Sequence, residues 1–479
     1  MQVKQSWISA VTEDRLYPNR IISRLSLLTF VTCFLTTTWV LGAERSLVVR
    51  DATVFNSVTK KMTPGQTVVI VGDRIAKVGP SDSIGELPDD ARVIEAKGKF
   101  VIPGLIDAHA HLTFPINRAH ITGDEILPLF LAAGVTAVRS TGGEVVAETG
   151  VAHYAASHPD ICPRVFTASL LFDTRPVTHP ELSIPVTDPA QVREIVANMV
   201  AWKVTTLKIY ARLSPPVASE VIRQGHHHGL MVTAHLANNY SAQQAVADGI
   251  DCLEHIESVF NYIQFPQKGL EKASREEKRA NLDLNNPRAK ALIVALAQHQ
   301  VMVSPTLTVF RNMLLLSDLE EVHKHPDNDR VPQRLKDYWD GYRKILGLSP
   351  DTLELRRKKF AKYQELTGIL HRAGVPLLVG TDTPEPYCPP GWALHQEMEL
   401  MVQSGLTPAE VLAAATLQNA HALKMTEHLG SVEPSKLADL VILDADPTVD
   451  ITNSRRIHAV IRSGYVCDRE KAFRTVPKQ

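Results

Sequence analysis

Between Gly104 and Asp382 the chain alternates short, β-branched apolar runs with stretches of helical pattern, and it does so eight times. The runs are Gly104 to His109, Val135 to Arg139, Arg164 to Ala168, Val204 to Tyr210, Leu230 to His235, Asp251 to His255, Val301 to Pro305 and Val375 to Asp382. Apolar runs bounded in this way, with little polar alternation, belong to strands buried on both faces. Helix-like segments between them, such as "PAEVLAAATLQNAHALKM" after the last, act as crossovers that make neighbouring strands parallel. Eight such units over roughly 250–300 residues predict an α/β fold, a distorted (β/α)8 TIM barrel. The rival, a doubly wound open sheet, would carry Gly-x-Gly-x-x-Gly after a strand, and no run here is followed by one.

Outside this region the style changes. "SLVVRDATVF", "QTVVIVGDRIAKVG" and "ARVIEAKGKFVIPG" before it, and "LADLVILDAD" and "IHAVIRSGYVCD" after it, are β-rich runs split by turn signals such as Gly72-Asp73. They predict a small β-sandwich formed from both chain ends, 44–103 and 426–479, interrupted by a barrel over 104–425. A chain of 479 residues exceeds what one core usually organises, which fits a large domain with a smaller companion. With 51 basic and 52 acidic residues, no global field draws the protein to nucleic acid or an anionic membrane, leaving a small molecule as the expected partner. Composition leaves open whether the chain forms a homo-oligomer.

The N-terminus carries a separate signal. Arg20 and Arg24 precede "LSLLTFVTCFLTTTWVLGA", with the basic flank, apolar stretch and small-residue ending of a secretory leader. The expectation is a signal peptide over 1–43, cleavage after Ala43, and a secreted or periplasmic protein with no membrane span. The alternative is an uncleaved anchor, since about 19 apolar residues just span a bilayer. Cys33 leaves with the leader, and Cys162, Cys252, Cys388 and Cys467 show no Cys-x-x-Cys spacing and read as buried thiols.

In a barrel, functional side chains gather at the C-terminal ends of the strands. The first run ends "IPGLIDAHAHLTF", and His109 and His111, two residues apart on a strand, project to one face. The fifth run ends at His235, the sixth at His255 and the eighth at Asp382. Four imidazoles and a carboxylate at matching strand ends point to a shared ligand, most simply a metal ion. Lys208, in the apolar strand "VTTLKIYA", must snorkel, meet a carboxylate or lose its charge, because an unpaired buried ammonium is very costly.

Taken together these residues resemble the amidohydrolase superfamily, and within it the binuclear members of the prolidase-like and imidazolonepropionase-related branch. "VIPGLIDAHAHL", "KVTTLKIYA", "VTAHLANNYSAQQAVADGIDCLEHIES", "VPLLVGTDTP" and "GSVEPSKLADLVILDADP" carry the resemblance, over nearly all of the chain after the leader. It implies His109, His111 and Asp382 on one divalent ion, His235 and His255 on a second, zinc for both, and a carboxylated Lys208 bridging them. It also implies a bridging hydroxide that attacks an amide carbonyl while Asp382 moves the proton to the leaving amine.

Deaminases of the superfamily place a glutamate three residues after the strand-five histidine, where this chain has Asn238. Imidazolonepropionase-type ring openers do not need the bridging lysine, so Lys208 puts hydrolysis of a dipeptide or N-acyl amino acid first, and opening of a cyclic amide, imidazolone or lactone second. Superfamily members that became metal-free interaction proteins lose ligands, and none of the expected types is missing here. Prolidase-like relatives often hold the substrate with a tyrosine two residues after the strand-five histidine, where Ala237 stands. Tyr210, Tyr240, Arg175 and His179 are the candidates to replace it. The long charged segment from Ser317 to Phe360 is expected to form a helical lid, while His226 to His228 read as surface residues of a helix-to-strand connection and His395 as structural.

Overall fold

A computed structural model describes residues 45–474 apart from 238, 265–269 and 347–348. The leader expected over 1–43, with Cys33, lies outside the described residues. Among those residues no helix is long and apolar enough to cross a membrane, and Cys162, Cys252, Cys388 and Cys467 are buried and unpaired.

Strands from both chain ends meet as expected, but in one sheet of eight strands and not in the two sheets of a sandwich. The physical reason is the length of Ser46–Asn56, which runs for 11 residues. Its first half pairs in parallel with Arg92–Glu95 and its second half with Phe100–Pro103, while its other edge pairs antiparallel with Lys61–Val71. Leu440–Leu443 then adds antiparallel to Phe100–Pro103, with Val441 opposite Ile102, and Ile457–Arg462 continues the sheet. Val49, Val68, Ile70, Leu440, Ile442 and Ile461 form its own apolar cluster.

The first seven predicted apolar runs contain parallel strands, but these lie in two separate sheets and not in one closed (β/α)8 barrel among the described residues. Leu105–Ala110, Val135–Ser140 and Arg164–Phe166 make one sheet, and Ala168–Asp173, Thr206–Ile209, Met231–Ala234, Cys252–Glu254 and Met302–Ser304 are consecutive strands of another, edged by Ser183–Pro185. Every residue of Leu105–Ala110 and Val135–Ser140 is buried, as strands covered on both faces require. The crossover helices start where local chemistry sets them: Asp188 with Gln191, Ser241 with Gln244 and Thr407 with Glu410 each form a capping box.

Two runs differ from expectation. The third does not stop at Ala168; it breaks at Thr167 and continues to Asp173, because "SLLF" carries the apolar run past the small residues that mimic an end. The eighth, 375–382, is no regular strand. Leu378 N–H donates to Val303 O at 2.9 Å and Ala108 N–H to Val379 O at 3.0 Å, with single parallel bridges at Leu377 and Thr383. Pro376 has no N–H to give a ladder, and Gly380 lies so close to the first strand that a Cβ there would sit 2.6 Å from the Cβ of His109.

Asn419 stitches this irregular run to the first strand. It follows a π-helical turn over Ala414–Gln418 that interrupts the last helix, and its buried amide donates to Ile106 O at 2.7 Å and Val379 O at 2.8 Å and accepts from Val379 N–H at 3.1 Å. Asn419→Ala leaves three buried backbone groups without those partners. It is expected to lower the unfolding free energy by about 2–4 kcal/mol, read from urea unfolding of the variant beside the parent.

Candidate metal centre

His109 and His111 stand at the end of the first strand, and the eighth run brings Asp382 against both. Asp382 Oδ1 lies 3.2 Å from His109 Nε2 and 3.3 Å from His111 Nε2, and Asp382 Oδ2 lies 3.9 Å from His255 Nδ1. The four imidazoles form a chain across the strand ends, with ring centroids 5.4 Å apart for His109 and His111, 4.7 Å for His109 and His255, and 4.5 Å for His255 and His235. Lys208 is fully buried among them, and its Nζ has no hydrogen-bond partner.

The groups behind the histidines fix which ring nitrogen carries the proton. His111 Nδ1 sits 3.0 Å from Gly142 O, which can only accept, so Nδ1 is protonated and, in the neutral ring, Nε2 holds a bare lone pair. His109 Nδ1 donates to Glu254 Oε2 at 2.6 Å, with the same consequence. Glu254 is buried with Arg139, whose Nη2 donates to its other oxygen at 2.7 Å, and Thr233 donates to that oxygen as well. Burial opposes the Glu254 carboxylate, yet Arg139 and His109 together hold its pKa well below the ordinary value. Asp107 positions the first strand against the eighth run, accepting from His109 N–H at 3.1 Å, Thr381 N–H at 3.2 Å and Thr381 Oγ1 at 2.7 Å.

Three non-glycine residues at these strand ends occupy the left-handed region, His255 at φ 62°, Thr306 at 50° and Asp382 at 64°. Strain of this kind persists where surroundings over-determine it. Here Asp382 N–H donates to His109 O at 2.8 Å, and His255 Nδ1 is bonded to Thr306 Oγ1 at 2.8 Å.

This donor set fits a cation. With neutral rings, bare nitrogens on His109 and His111 face one oxygen of Asp382, which is repulsive unless a cation or a proton lies among them; burial opposes a charged His111, yet Asp382 holds its pKa above the ordinary value. The ligand atoms of His109, His111 and Asp382 lie within 4.8 Å of one another, close enough for one ion. Burial, with Lys208 nearby, depresses His235 to about 4, and burial also drives His255 well below its usual pKa, so both present neutral rings. Burial depresses Lys208 too, against the pull of Glu254 and Asp382.

The cluster opens into a cavity of 410 Å³. Of the four substrate-contact candidates, Tyr210 and His179 line it and two do not: Tyr240 turns into the core, donating its hydroxyl to Asp248 at 2.6 Å, and Arg175 is exposed away from the cavity. Arg118 donates to His179 Nδ1 at 3.1 Å and is itself held by Glu181 at 2.7 Å. An arginine can only donate, so His179 carries its proton on Nε2, 3.1 Å from the Tyr210 hydroxyl. Phe114, Phe310, Glu257 and Lys359 also line the cavity and have no signature in the sequence. The segment expected as a lid is helical over Leu319–His323, Gln333–Leu346 and Pro350–Arg372, and the last of these faces the cavity. His395 is structural, bonded to Ser454 Oγ and Ala133 O, and His226 pairs with Asp251 at the protein surface.

Parallel strands that carry histidines and an aspartate to one end, above a cavity, define a metal-dependent hydrolase. The chain belongs to the amidohydrolase family, whose model matches residues 100–467. It is 26% identical over 413 residues to imidazolonepropionase of Symbiobacterium thermophilum, covering 84% of this chain and 87% of that one. A shorter match, 32% identity over 114 residues to adenine deaminase of Ruegeria pomeroyi, covers 24% of this chain and 18% of that enzyme. Among solved structures, one described as a prolidase from Bifidobacterium longum superposes with a TM-score of 0.67 at 24% identity, over 91% of this chain and 97% of that one. The bottromycin amidohydrolase superposes with a TM-score of 0.69 at 21% identity, over 90% and 89%. The chain is a member of the branch that holds imidazolonepropionases and prolidase-like proteins.

The Arg139–Glu254 pair makes a direct test of this support. Arg139→Met leaves a buried carboxylate without its counter-charge, and is expected to cost about 3–5 kcal/mol of stability in thermal or denaturant unfolding.

Proposed function

We propose that the protein is an exported, metal-dependent amidohydrolase that cleaves an amide bond of a dipeptide or N-acyl amino acid. One observation carries the reading: the Nε2 atoms of His109 and His111 converge on Asp382 at 3.2 and 3.3 Å beside a buried Lys208 Nζ that has no hydrogen-bond partner among the described residues. The ligand set is His109, His111 and Asp382 for one ion and His235 and His255 for the second, with a carboxylated Lys208 between them and zinc as the metal. The ends of the strands of the two parallel sheets, bridged by the eighth run at Ala110–Thr383 and Val303–Leu377, present this set.

When bound, a pair of divalent ions supplies Lewis acidity and a water that ionises near neutral pH. The chain's own residues do the rest. Glu254, kept ionised by Arg139, orients His109 and raises the basicity of its free nitrogen. Asp382 Oδ2, turned away from His109 and His111, takes the proton of the attacking water and returns it to the leaving amine. His179, with Nε2 protonated by the demand of Arg118, donates to the Tyr210 oxygen, which leaves the Tyr210 hydroxyl proton to be donated to an oxygen atom of the substrate. A second reading, opening of a cyclic amide, imidazolone or lactone, is favoured by the long alignment with an imidazolonepropionase.

A panel of dipeptides and N-acyl amino acids, with lactones and cyclic imides alongside, separates the two readings on zinc-reconstituted protein. Turnover confined to the cyclic compounds would overturn the first. Asp382→Asn is expected to lower turnover by more than about 10³-fold with an unchanged circular-dichroism spectrum. Lys208→Ala is expected to lose bound metal by elemental analysis and to recover part of it with acetate or propionate; full occupancy without them contradicts the bridge.

A further inference from the structure

The charged wall of the cavity is built by a helix that the metal site does not use. Pro350–Arg372 presents Arg356, Lys359 and Phe360 to the cavity, with Arg356 and Lys359 three residues apart on one face. Lys359 Nζ lies 3.7 Å from Glu257 Oε1 and 3.9 Å from Glu276 Oε2. Those separations give electrostatic attraction without hydrogen bonds, so the two acids aim the ammonium and, among the described residues, take none of its three N–H donors. Glu257 is instead hydrogen-bonded by the Tyr363 hydroxyl, and Arg279 Nη1 stands 4.0 Å from Glu276. Tyr363 thus gives Glu257 a second partner, while Glu276 Oε2 is buried without a hydrogen bond among the described residues and faces Lys359, so the two acids hold the ammonium in place at the cavity wall by charge. Glu257 follows His255 by two residues, which ties this ammonium to the rim of the metal centre.

We infer that Lys359, with Arg356 on the same helix face, is the anchor for a free carboxylate on the substrate, and that this selects amino acids acylated on nitrogen over their neutral amides. The inference rests on the hydrolase reading above and adds to it the end of the substrate that is recognised. The rest of the cavity supports an apolar side chain next to that carboxylate. The Phe310 ring lies 6.2 Å from the His255 ring and 5.0 Å from that of Tyr363, while Phe114 lies 6.3 Å from His111. A substrate at the histidines thus has aromatic surface on both flanks and the cations Lys359 and Arg356 on the helix wall.

The test compares N-acetyl-L-phenylalanine with N-acetyl-L-phenylalaninamide, which differ only in the carboxylate. Calorimetric titration of zinc-reconstituted protein is expected to show the acid binding at least about tenfold more tightly, the advantage of one charge-assisted contact. In Lys359→Met the two ligands should bind within about threefold of each other, and Lys359→Arg should restore most of the difference. A merely structural lysine would weaken both ligands equally and leave the preference intact, and that result overturns the anchor. So does equal binding of acid and amide to the parent protein. Acetohydroxamate, which needs only the metal, is titrated in parallel: if it binds while the acid shows no preference, the anchor alone fails, and if it does not bind, the metal reading fails and the anchor with it.

Discussion

A buried arginine governs the centre of this molecule. Arg139 lies on the second parallel strand with no exposure to solvent, and its charge is tolerable only because Glu254, on the sixth, is equally buried and 2.7 Å away. That pair spends only one oxygen of the carboxylate on the arginine. The other holds His109 Nδ1, which turns the opposite nitrogen toward Asp382. The first and second strands, which pair with each other, are thereby tied to the sixth, which belongs to the other parallel sheet. The strained conformations of His255, Thr306 and Asp382 are then supported from beneath by side chains and carbonyls that have nowhere else to go.

The residues that converge were readable because the strand ends announce themselves. His109, His111, His235, His255 and Asp382 each close an apolar run, and a parallel arrangement makes every such end face one way. The supports were not readable. Glu254 sits next to His255 and Arg139 ends a strand like many others; neither spacing nor residue type distinguishes a buried ion pair from two solvated charges. Tyr240 misled for the opposite reason, since proximity to His235 in sequence says nothing about a side chain that turns into the core to reach Asp248. The eighth run shows the limit of pattern itself: it is apolar like its fellows, but Pro376 and the close approach at Gly380 leave it bound by scattered hydrogen bonds, with Asn419 supplying from a distant helix what a regular ladder would have supplied locally.

The inserted helices between the seventh and eighth runs bear on how the cavity works. Trp339, fully buried, donates its Nε1–H to Pro384 O at 2.8 Å, and the Tyr387 hydroxyl is bonded to Asp340. The insertion is therefore fastened to the loop that begins at Asp382. A lid that swings freely would have to release these buried bonds each cycle, leaving an indole N–H and a backbone carbonyl without partners at a cost of roughly 1–3 kcal/mol each. The geometry favours a fixed wall in this region, with the long helix Pro350–Arg372 behind it.

This division of labour explains why the catalytic apparatus and the substrate preference were unequally visible. The candidate ligands stand at or just past strand ends, where position constrains each side chain, and His109 and His111 are oriented by their neighbours Glu254 and Gly142. The proposed recognition falls to an insertion whose helix carries Arg356, Lys359 and Phe360 on a face that looks, in sequence, like one more solvated surface. The charge run "LRRKKF" has equal claim to be exposed at every position; only the packing of Tyr363 and Leu366 into the core decides which turn of the helix faces inward. An insertion of that kind can change its inward-facing residues without disturbing Arg139, Glu254 or the histidines, so that one hydrolytic centre serves substrates whose ends differ.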